Sequence, residues 1–484
     1  MTRPSDEPTT TPSVDLSAPR RVHLIGIGGS GMSAIATVLA DMGHTVSGSD
    51  RAGSAAVERL VARGVDARVG HDAANVAGAE IVARSTAIAD DNVEVVAARA
   101  AGLDVLERAR LIPAMARTRR RIAVAGTHGK TTTSAMLAHI LAATGHHPSF
   151  IVGGDVVGLG GGRWDPDGEW FVVEADESDG TFLTLDPEIA VVANVEPDHL
   201  EHWGGEAELR AAFRRYADTA TTAVVVHVDD PGAAEVADAT TAPAVWSIGA
   251  ADREPMWTID GLGAGSDGGW ADLRGPDGTT HRVTVPQPGE HNALDGVLAV
   301  VAATAAGVDT ADAVGALAVN PGVARRLEPR GEAGGVRFFD DYAHLPSEAR
   351  AVLAAARSLA PERIVAVFQP HRYSRTEAVG ADFADAFGEA DLLAITDIYT
   401  AGETPRPGVT GRIVLNAVLD AHPWKHVAWL PSLDDVVQWA AAVLRPGDLC
   451  LTMGAGDLTT VPDRIRARVQ ERAAGGPPAP GAAS

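Results

Sequence analysis

Residues 122–133 read IAVAGTHGKTTT: a short run of small and β-branched apolar residues, a glycine-bounded turn, then a lysine and three threonines that open a helical stretch. A strand running into such a turn gathers backbone amides, a helix N-terminus, the Lys130 ammonium and the Thr131 hydroxyl around one point. That is the chemistry that cradles a triphosphate. The spacing departs from the common G-x-x-x-x-G-K-[ST] loop, because Val124 stands where its first glycine would be and Gly126 lies closer to the lysine. Candidate phosphate contacts are Gly126, Thr127, His128, Gly129, Lys130, Thr131 and Thr132.

A triphosphate also calls for a divalent cation. Downstream, EWFVVEADESD (169–179) reads as a strand with Glu174 at its end, followed by Asp176, Glu177 and Asp179. A further strand, within IAVVANVEPDHLEHW (189–203), leads to Asp198 and His199. Ligands of a parallel sheet collect at such strand ends, so Thr131, Glu174 and His199 are the candidate metal residues. Upstream, RVHLIGI (21–27) runs into Gly26, Gly28 and Gly31 in the order G-x-G-x-x-G, a helix follows, and the next strand, HTVSGSD, ends on Asp50. Turns without Cβ atoms let amides approach a pyrophosphate. Taken alone, this loop fits a nicotinamide or flavin dinucleotide, another diphosphate such as a UDP-sugar, or simply tight packing.

Short Val- and Ile-rich runs alternate with Ala-rich helical stretches along the chain, which predicts an α/β protein with mostly parallel sheets. A chain of 484 residues exceeds a single core and suggests three domains. The expected division is a tail over 1–19, a Rossmann-like domain over 20–118, a central phosphate-loop domain over 119–321, a Rossmann-like C-terminal domain over 322–473, and a tail over 474–484. The basic stretch ARTRRR (116–121) marks the first break, and the Gly/Asp-rich segment 250–285 reads as hairpins. Acidic residues outnumber basic ones 64 to 40, a formal charge of −24, which argues against nucleic acid or anionic membrane as partner. No membrane-length apolar run and no signal-like N-terminus is present, so a cytoplasmic location is expected. The single cysteine, Cys450, sits in DLCLTM and reads as a buried strand residue.

The ordered strings GIGGSGM, GTHGKTTT, EADESDGTFL, NVEPDHLEHW, GEHN, DDYAH, FQPHRYSRT, DIYTAGE and MGAGD span residues 26–457 and together resemble the Mur ligase family, in particular its L-alanine-adding branch. The resemblance implies that the first domain holds the UDP end of UDP-N-acetylmuramate, the second binds Mg-ATP (Mn2+ can substitute) and the third binds the amino acid. It reassigns the first glycine loop (Gly26, Gly28, Gly29, Ser30, Gly31, with Asp50) to a UDP-sugar diphosphate, and adds His71, Ser85 and Thr86 on the uridine side. It places His291, Asn292, Arg325, Arg326 and Asp341 with ATP. Tyr342, His344, Arg372 and Arg375 go with L-alanine, and Lys130, His344 and Arg375 are the catalytic set. The implied reaction activates the carboxylate as an acyl phosphate, which the alanine amine then attacks through an anionic tetrahedral species. The implied state is a monomer or weak homodimer. Two positions depart from the family pattern: Leu345 stands where a second histidine is usual, and Asp295 where an asparagine is. The alternatives are a sibling ligase that adds a preformed peptide, a nicotinamide oxidoreductase and a silent nucleotide-binding protein.

Overall fold

The computed structural model describes residues 14–473, and its internal packing divides the chain into two compact units: residues up to Asp155 with Leu159–Trp246, and Val156–Gly158 with Ser247 onward. The first unit opens with a five-stranded sheet. Its strands are β1 (Arg21–Ile25), β2 (Thr45–Asp50), β3 (Asp66–Val69), β4 (Ile81–Arg84) and β5 (Val105–Glu107), all parallel in the order β3-β2-β1-β4-β5. Strand order reverses beside β1, and in open parallel sheets the ligand crevice lies at that switch point. The glycine loop leaves β1 there. The helix Ser30–Asp41 returns across the sheet on Met32, Ile35, Val38 and Leu39 and stops at Gly43, whose φ of 91° closes the turn.

One boundary needs correcting. Of the expected N-terminal tail, residues 1–13 lie outside the described residues, but Leu16 is buried in the same core as Val22 and Ile35. An apolar side chain that can reach a core packs there even from a polar segment. The expected C-terminal tail, 474–484, lies outside the described residues.

A second sheet in the same unit contains β6 (Arg120–Ala125), β7 (Ser149–Val156), β8 (Gly160–Arg163), β9 (Trp170–Glu174), β10 (Ile189–Val192) and β11 (Ala223–His227), in the order β11-β10-β6-β9-β7-β8. Its run from β11 to β7 is parallel. Ile122 to Ala125 of β6 are fully buried, as a strand covered on both faces must be. Because β9 and β10 flank β6, three strand ends lie side by side. The basic stretch before β6 is not an open cationic patch: Arg117 meets Asp186 at 3.2 Å and Arg120 meets Glu188 at 2.6 Å.

In the second unit, the end of β12 (Val245–Gly249) pairs in parallel with β13 (Trp257–Gly265), and β13, β14 (Gly268–Arg274) and β15 (Thr280–Val285) form the expected hairpins. The helix Glu290–Ala305 covers β14 and β15. A six-stranded sheet follows, made of β16 (Glu328–Ala333), β17 (Val336–Asp341), β18 (Arg363–Phe368), β19 (Leu392–Ile395), β20 (Val427–Trp429) and β21 (Asp448–Met453) in the order β16-β17-β21-β18-β19-β20. Only β16 is antiparallel to its neighbour. The residues from about 250 to 320 pack into the same unit as 322–473, so internal packing does not break at 321. Gly289, with φ 108°, lets the helix start at Glu290 approach the helix Pro346–Ser358, and a Cβ there would lie 2.7 Å from Ala355. Cys450 is buried in β21, as expected. Among the described residues no helix is long and apolar enough to cross a membrane.

Candidate active site

The loop after β6 is shaped by two glycines and clamped by the segment after β10. Gly126 has φ 150°, and a Cβ there would come within 3.0 Å of Ala193 Cβ and 3.1 Å of His128 O. Gly129, at φ 75°, is the N-cap of the helix Lys130–Ala143. Asn194 grips His128 from both sides, its Oδ1 accepting the His128 N–H at 2.8 Å and its Nδ2 donating to His128 O at 3.2 Å. Thr127 Oγ1 accepts from Glu196 N at 2.9 Å and donates to Glu196 O at 3.0 Å. Thr131 and Thr132 are buried at the first turn of the helix.

Lys130 does not stand out into the cradle. Its Nζ donates to Gly126 O at 2.6 Å and to Glu177 Oε1 at 2.9 Å, with Glu177 Oε2 at 2.8 Å. Burial pushes the ammonium's pKa down, but the carboxylates of Glu177, Asp176 and Glu174 outweigh it and hold the lysine above its usual value. Burial also pushes Glu177 up to about 7, against the pull of the lysine. Glu177 is not among the site residues expected from sequence. The available signal was that a buried lysine needs a counter-ion and that three carboxylates stand at 176–179.

Glu174 Oε2 accepts the Thr131 hydroxyl at 2.9 Å and the Gly153 N–H at 2.6 Å, so two of the three expected metal residues are brought together. His199 occupies the left-handed region (φ 51°) ahead of the helix Leu200–Trp203, with its Nε2 3.3 Å from Asp198 Oδ2. Among the described residues, no three His, Cys, Asp or Glu side chains converge as a metal-holding group. A threonine and one carboxylate suit a small, hard cation that keeps water and phosphate oxygens as its other ligands, which is the habit of Mg2+.

At the first loop, Gly26 has φ 82°, and the Gly28 N–H donates to Asp50 Oδ2 at 2.9 Å. Asp50 therefore braces the loop in this structure. Gly29 caps the helix that begins at Ser30, and a Cβ on Gly31 would meet Arg108 Nη1 at 2.9 Å. Arg108 also pairs with Asp176 at 2.9 Å, linking this loop to the acidic segment after β9. Ser85 and Thr86 follow β4, and Ser85 N–H donates to Ile25 O at 3.0 Å. His71 follows β3 and contacts Ser49.

The second unit holds its own cluster at the ends of β17, β18 and β19. Asp341 ends β17, fully buried, and accepts the N–H groups of Leu327 (2.6 Å) and Ala343 (2.7 Å). Burial raises its carboxyl to about 6, although Arg326 pulls the other way. Arg325 is committed to the scaffold, with Nη2 on Gly454 O at 2.5 Å and Nε 3.4 Å from Asp340. Arg326 lies over the Tyr342 ring. His344 Nδ1 donates to Tyr342 O at 3.0 Å and its ring meets Tyr342 and His371 edge-on. His371 stacks on Tyr399, and its Nδ1 accepts from Arg375 Nη1 at 3.0 Å. Burial, aided by the charges of His344, Arg375 and Arg372, pushes His371 down to about 2. Arg372 starts the helix Tyr373–Val379 at φ 66°. Neither His371 nor Tyr399 was expected as a site residue; the signal was their place in FQPHRYSRT and DIYTAGE. Asn292 turns its amide onto Pro288 O at 2.7 Å, and His291 is lowered to about 4 by burial and by Arg326. Of the two departures, Leu345 is buried and heads the helix Pro346–Ser358, and Asp295 is buried in the helix Glu290–Ala305.

A lysine-bearing glycine loop that opens a helix, set beside a threonine–carboxylate pair at adjacent strand ends of a parallel sheet, defines a nucleotide-binding α/β protein of the phosphate-loop kind. Sequence models of the Mur ligase family match almost the whole chain: the catalytic domain over residues 21–120, the middle domain over 124–303 and the glutamate ligase domain over 325–456. The chain belongs to the Mur ligase family, with its three-domain α/β architecture. It is 41% identical over 459 residues to the UDP-N-acetylmuramate–L-alanine ligase of Clavibacter michiganensis subsp. michiganensis, covering 94% of this chain and 95% of that one. It is 42% identical over 474 residues to the enzyme of the same name from Thermobifida fusca, with coverage of 95% and 98%. The crystal structure of UDP-N-acetylmuramate-alanine ligase from Thermotoga maritima superposes with a TM-score of 0.79 at 27% identity, covering 94% of this chain and all of that one.

Proposed function

We propose that this chain is an ATP-dependent ligase that joins L-alanine to the carboxylate of UDP-N-acetylmuramate in peptidoglycan precursor synthesis, in the cytoplasm. The observation that carries this reading is the Gly126–Thr133 loop, with its buried Lys130 and its Thr131–Glu174 pair, in a chain about two-fifths identical along its length to L-alanine ligases. The UDP end of the substrate falls to residues 20–118, ATP to 119–321 and the amino acid to 322–473.

A carboxylate must be activated before an amine can displace its oxygen. Its oxygen attacks the γ-phosphorus of ATP, ADP leaves, and an acyl phosphate results. Lys130 and the loop amides hold the phosphate oxygens as charge shifts among them. Mg2+, held by Thr131 and Glu174 with His199, would supply charge neutralisation at those oxygens. The alanine amine then adds to the acyl carbon, and phosphate departs. Tyr342, His344, Arg372 and Arg375 orient the amino acid, and Arg326 rather than the committed Arg325 is the arginine available to a phosphate. The test supplies UDP-N-acetylmuramate, Mg-ATP and one amino acid or preformed peptide at a time, and reads phosphate release and product mass. L-alanine-dependent release with the mass of the alanyl product is expected. Release that depends on the peptide and not on L-alanine overturns the assignment.

A further inference from the structure

Below the first glycine loop, Glu94 is fully buried and its carboxylate is held by hydrogen-bond donors, with Arg68 acting on it from behind Asn75. Oε1 accepts the Asp72 N–H at 3.1 Å and Asn75 Nδ2 at 2.6 Å; Oε2 accepts the Ser49 hydroxyl at 2.5 Å and lies 3.4 Å from His23 Nε2. Burial pushes this carboxyl's pKa up, yet the bonds from His23, Ser49, Asn75 and Asp72 outweigh it and leave the group at about 2, so it is a carboxylate at neutral pH. A carboxylate only accepts, so Ser49 must donate to it. The Ser49 oxygen then has only lone pairs to offer His71 Nδ1, 2.9 Å away, and the other neighbour of that nitrogen is Glu94 Oε2 at 3.6 Å. In its neutral form His71 therefore carries the proton on Nδ1 and presents Nε2 as an acceptor. This is the reverse of the tautomer usual for free histidine. The ring keeps 18% of its surface exposed, at the strand-end edge where Ser49 adjoins Asp50, the residue that braces Gly28.

We propose that Glu94 and Ser49 are positioning residues that fix His71 as the Nδ1–H tautomer, so that its Nε2 accepts the N3–H of a uracil and selects uridine over cytidine nucleotides. This rests on the UDP-sugar reading of the first loop. Uracil N3 donates, whereas cytosine N3 is a lone pair that would face another lone pair. Glu94→Gln reverses the relay. The Asp72 N–H can only donate, so the new carbonyl takes the Oε1 side and the new NH2 faces Ser49. The serine oxygen then accepts, its hydrogen turns to His71 Nδ1, and the ring becomes Nε2–H.

The experiment has two arms. Nitrogen NMR on the 15N-histidine-labelled full chain, with His71 assigned by its loss in a His71→Phe variant, reads the tautomer directly at a pH where the ring is neutral. Calorimetry with UDP and with CDP reads the preference. We expect Nδ1–H in the wild type and Nε2–H in Glu94→Gln. We also expect UDP to bind the wild type at least about tenfold tighter than CDP, with the ratio falling toward one in Glu94→Gln while Mg-ATP affinity holds. An Nε2–H ring in the wild type overturns the relay. An Nδ1–H ring whose UDP/CDP ratio survives Glu94→Gln overturns the base contact. If that variant fails to fold, His71→Phe decides the same point, since a UDP/CDP ratio that survives loss of the ring overturns the contact. Failure of the wild type to bind either nucleotide removes the UDP-sugar reading itself, and with it the base contact.

Discussion

Lys130→Met separates the two roles of the phosphate-loop lysine. For catalysis, losing an ammonium from the transferring phosphoryl group should cost at least about a thousandfold in turnover, or about 4 kcal/mol. For stability, the structure predicts a pH signature. In the wild type Glu177 is 2% exposed and titrates at about 7, against an ordinary 4.5. A carboxyl whose folded pKa is raised contributes stability that is fully present below its unfolded pKa, declines as pH climbs to the folded pKa, and is level above it. Wild-type stability should therefore fall between about pH 4.5 and 7 through this group and then stop falling. Removing the ammonium 2.8 Å away withdraws the pull that lets Glu177 ionise at all, so in Lys130→Met the decline continues beyond pH 7. The gap between the two proteins should widen by about 1.4 kcal/mol per pH unit, reaching about 3 kcal/mol more at pH 9 than at pH 7. Lys130 itself, held above its usual value, stays charged across that window. Urea unfolding of both proteins at half-unit steps from pH 6 to 9 measures the gap. A gap that stays constant from pH 7 to 9 would refute the claim that Lys130 is what allows Glu177 its charge.

Glu174→Gln keeps the shape that accepts Thr131 but removes the negative charge, so the Mg2+ concentration for half-maximal phosphate release should rise at least about tenfold; an unchanged titration moves the metal elsewhere. His344→Ala should lower kcat/KM for L-alanine by well over tenfold. Leu345→His, at a buried position behind it, should change kcat/KM by less than about tenfold, or about 1.4 kcal/mol, while lowering the melting temperature. Steady-state kinetics with a thermal melt on each variant decides between these roles. Gly28→Ala would put a Cβ 2.9 Å from Asp50 Oδ2 and 3.0 Å from Val57 Cγ2, so the loop must open. Calorimetry should show weaker UDP binding and unchanged Mg-ATP binding, and equal loss of both would mean that the whole unit has been disturbed.

Much of this protein was legible from the chain alone, because the relevant forces act between near neighbours in sequence. Runs such as IAVA and RIVAVF, apolar on almost every residue, can only be strands covered on both faces, and they became β6 and β18. Gly26, Gly126 and Gly129 mark turns whose positive φ excludes most side chains, so both loops and the helices after them could be placed directly. The ordered motifs then pointed to the family.

Tertiary structure decided what depends on partners far apart in sequence. β16 (EPRGEA) has no apolar alternation and forms only because Gly334 and Gly335, both at positive φ, turn it back onto β17. Leu16 looked like tail and is core. Glu177 became the partner of Lys130, and His371 the acceptor for Arg375, through strand ends that sequence reading could name but not set at a distance. Glu94 is the extreme case: the second residue of a short helix and part of no sequence motif, it closes over Ser49 of β2, His23 of β1 and Asp72 of the next loop. Backbone preference and hydrophobic pattern are local and survive in one dimension. The burial of a charge is a balance struck among groups from several elements, and it exists only once those elements have packed.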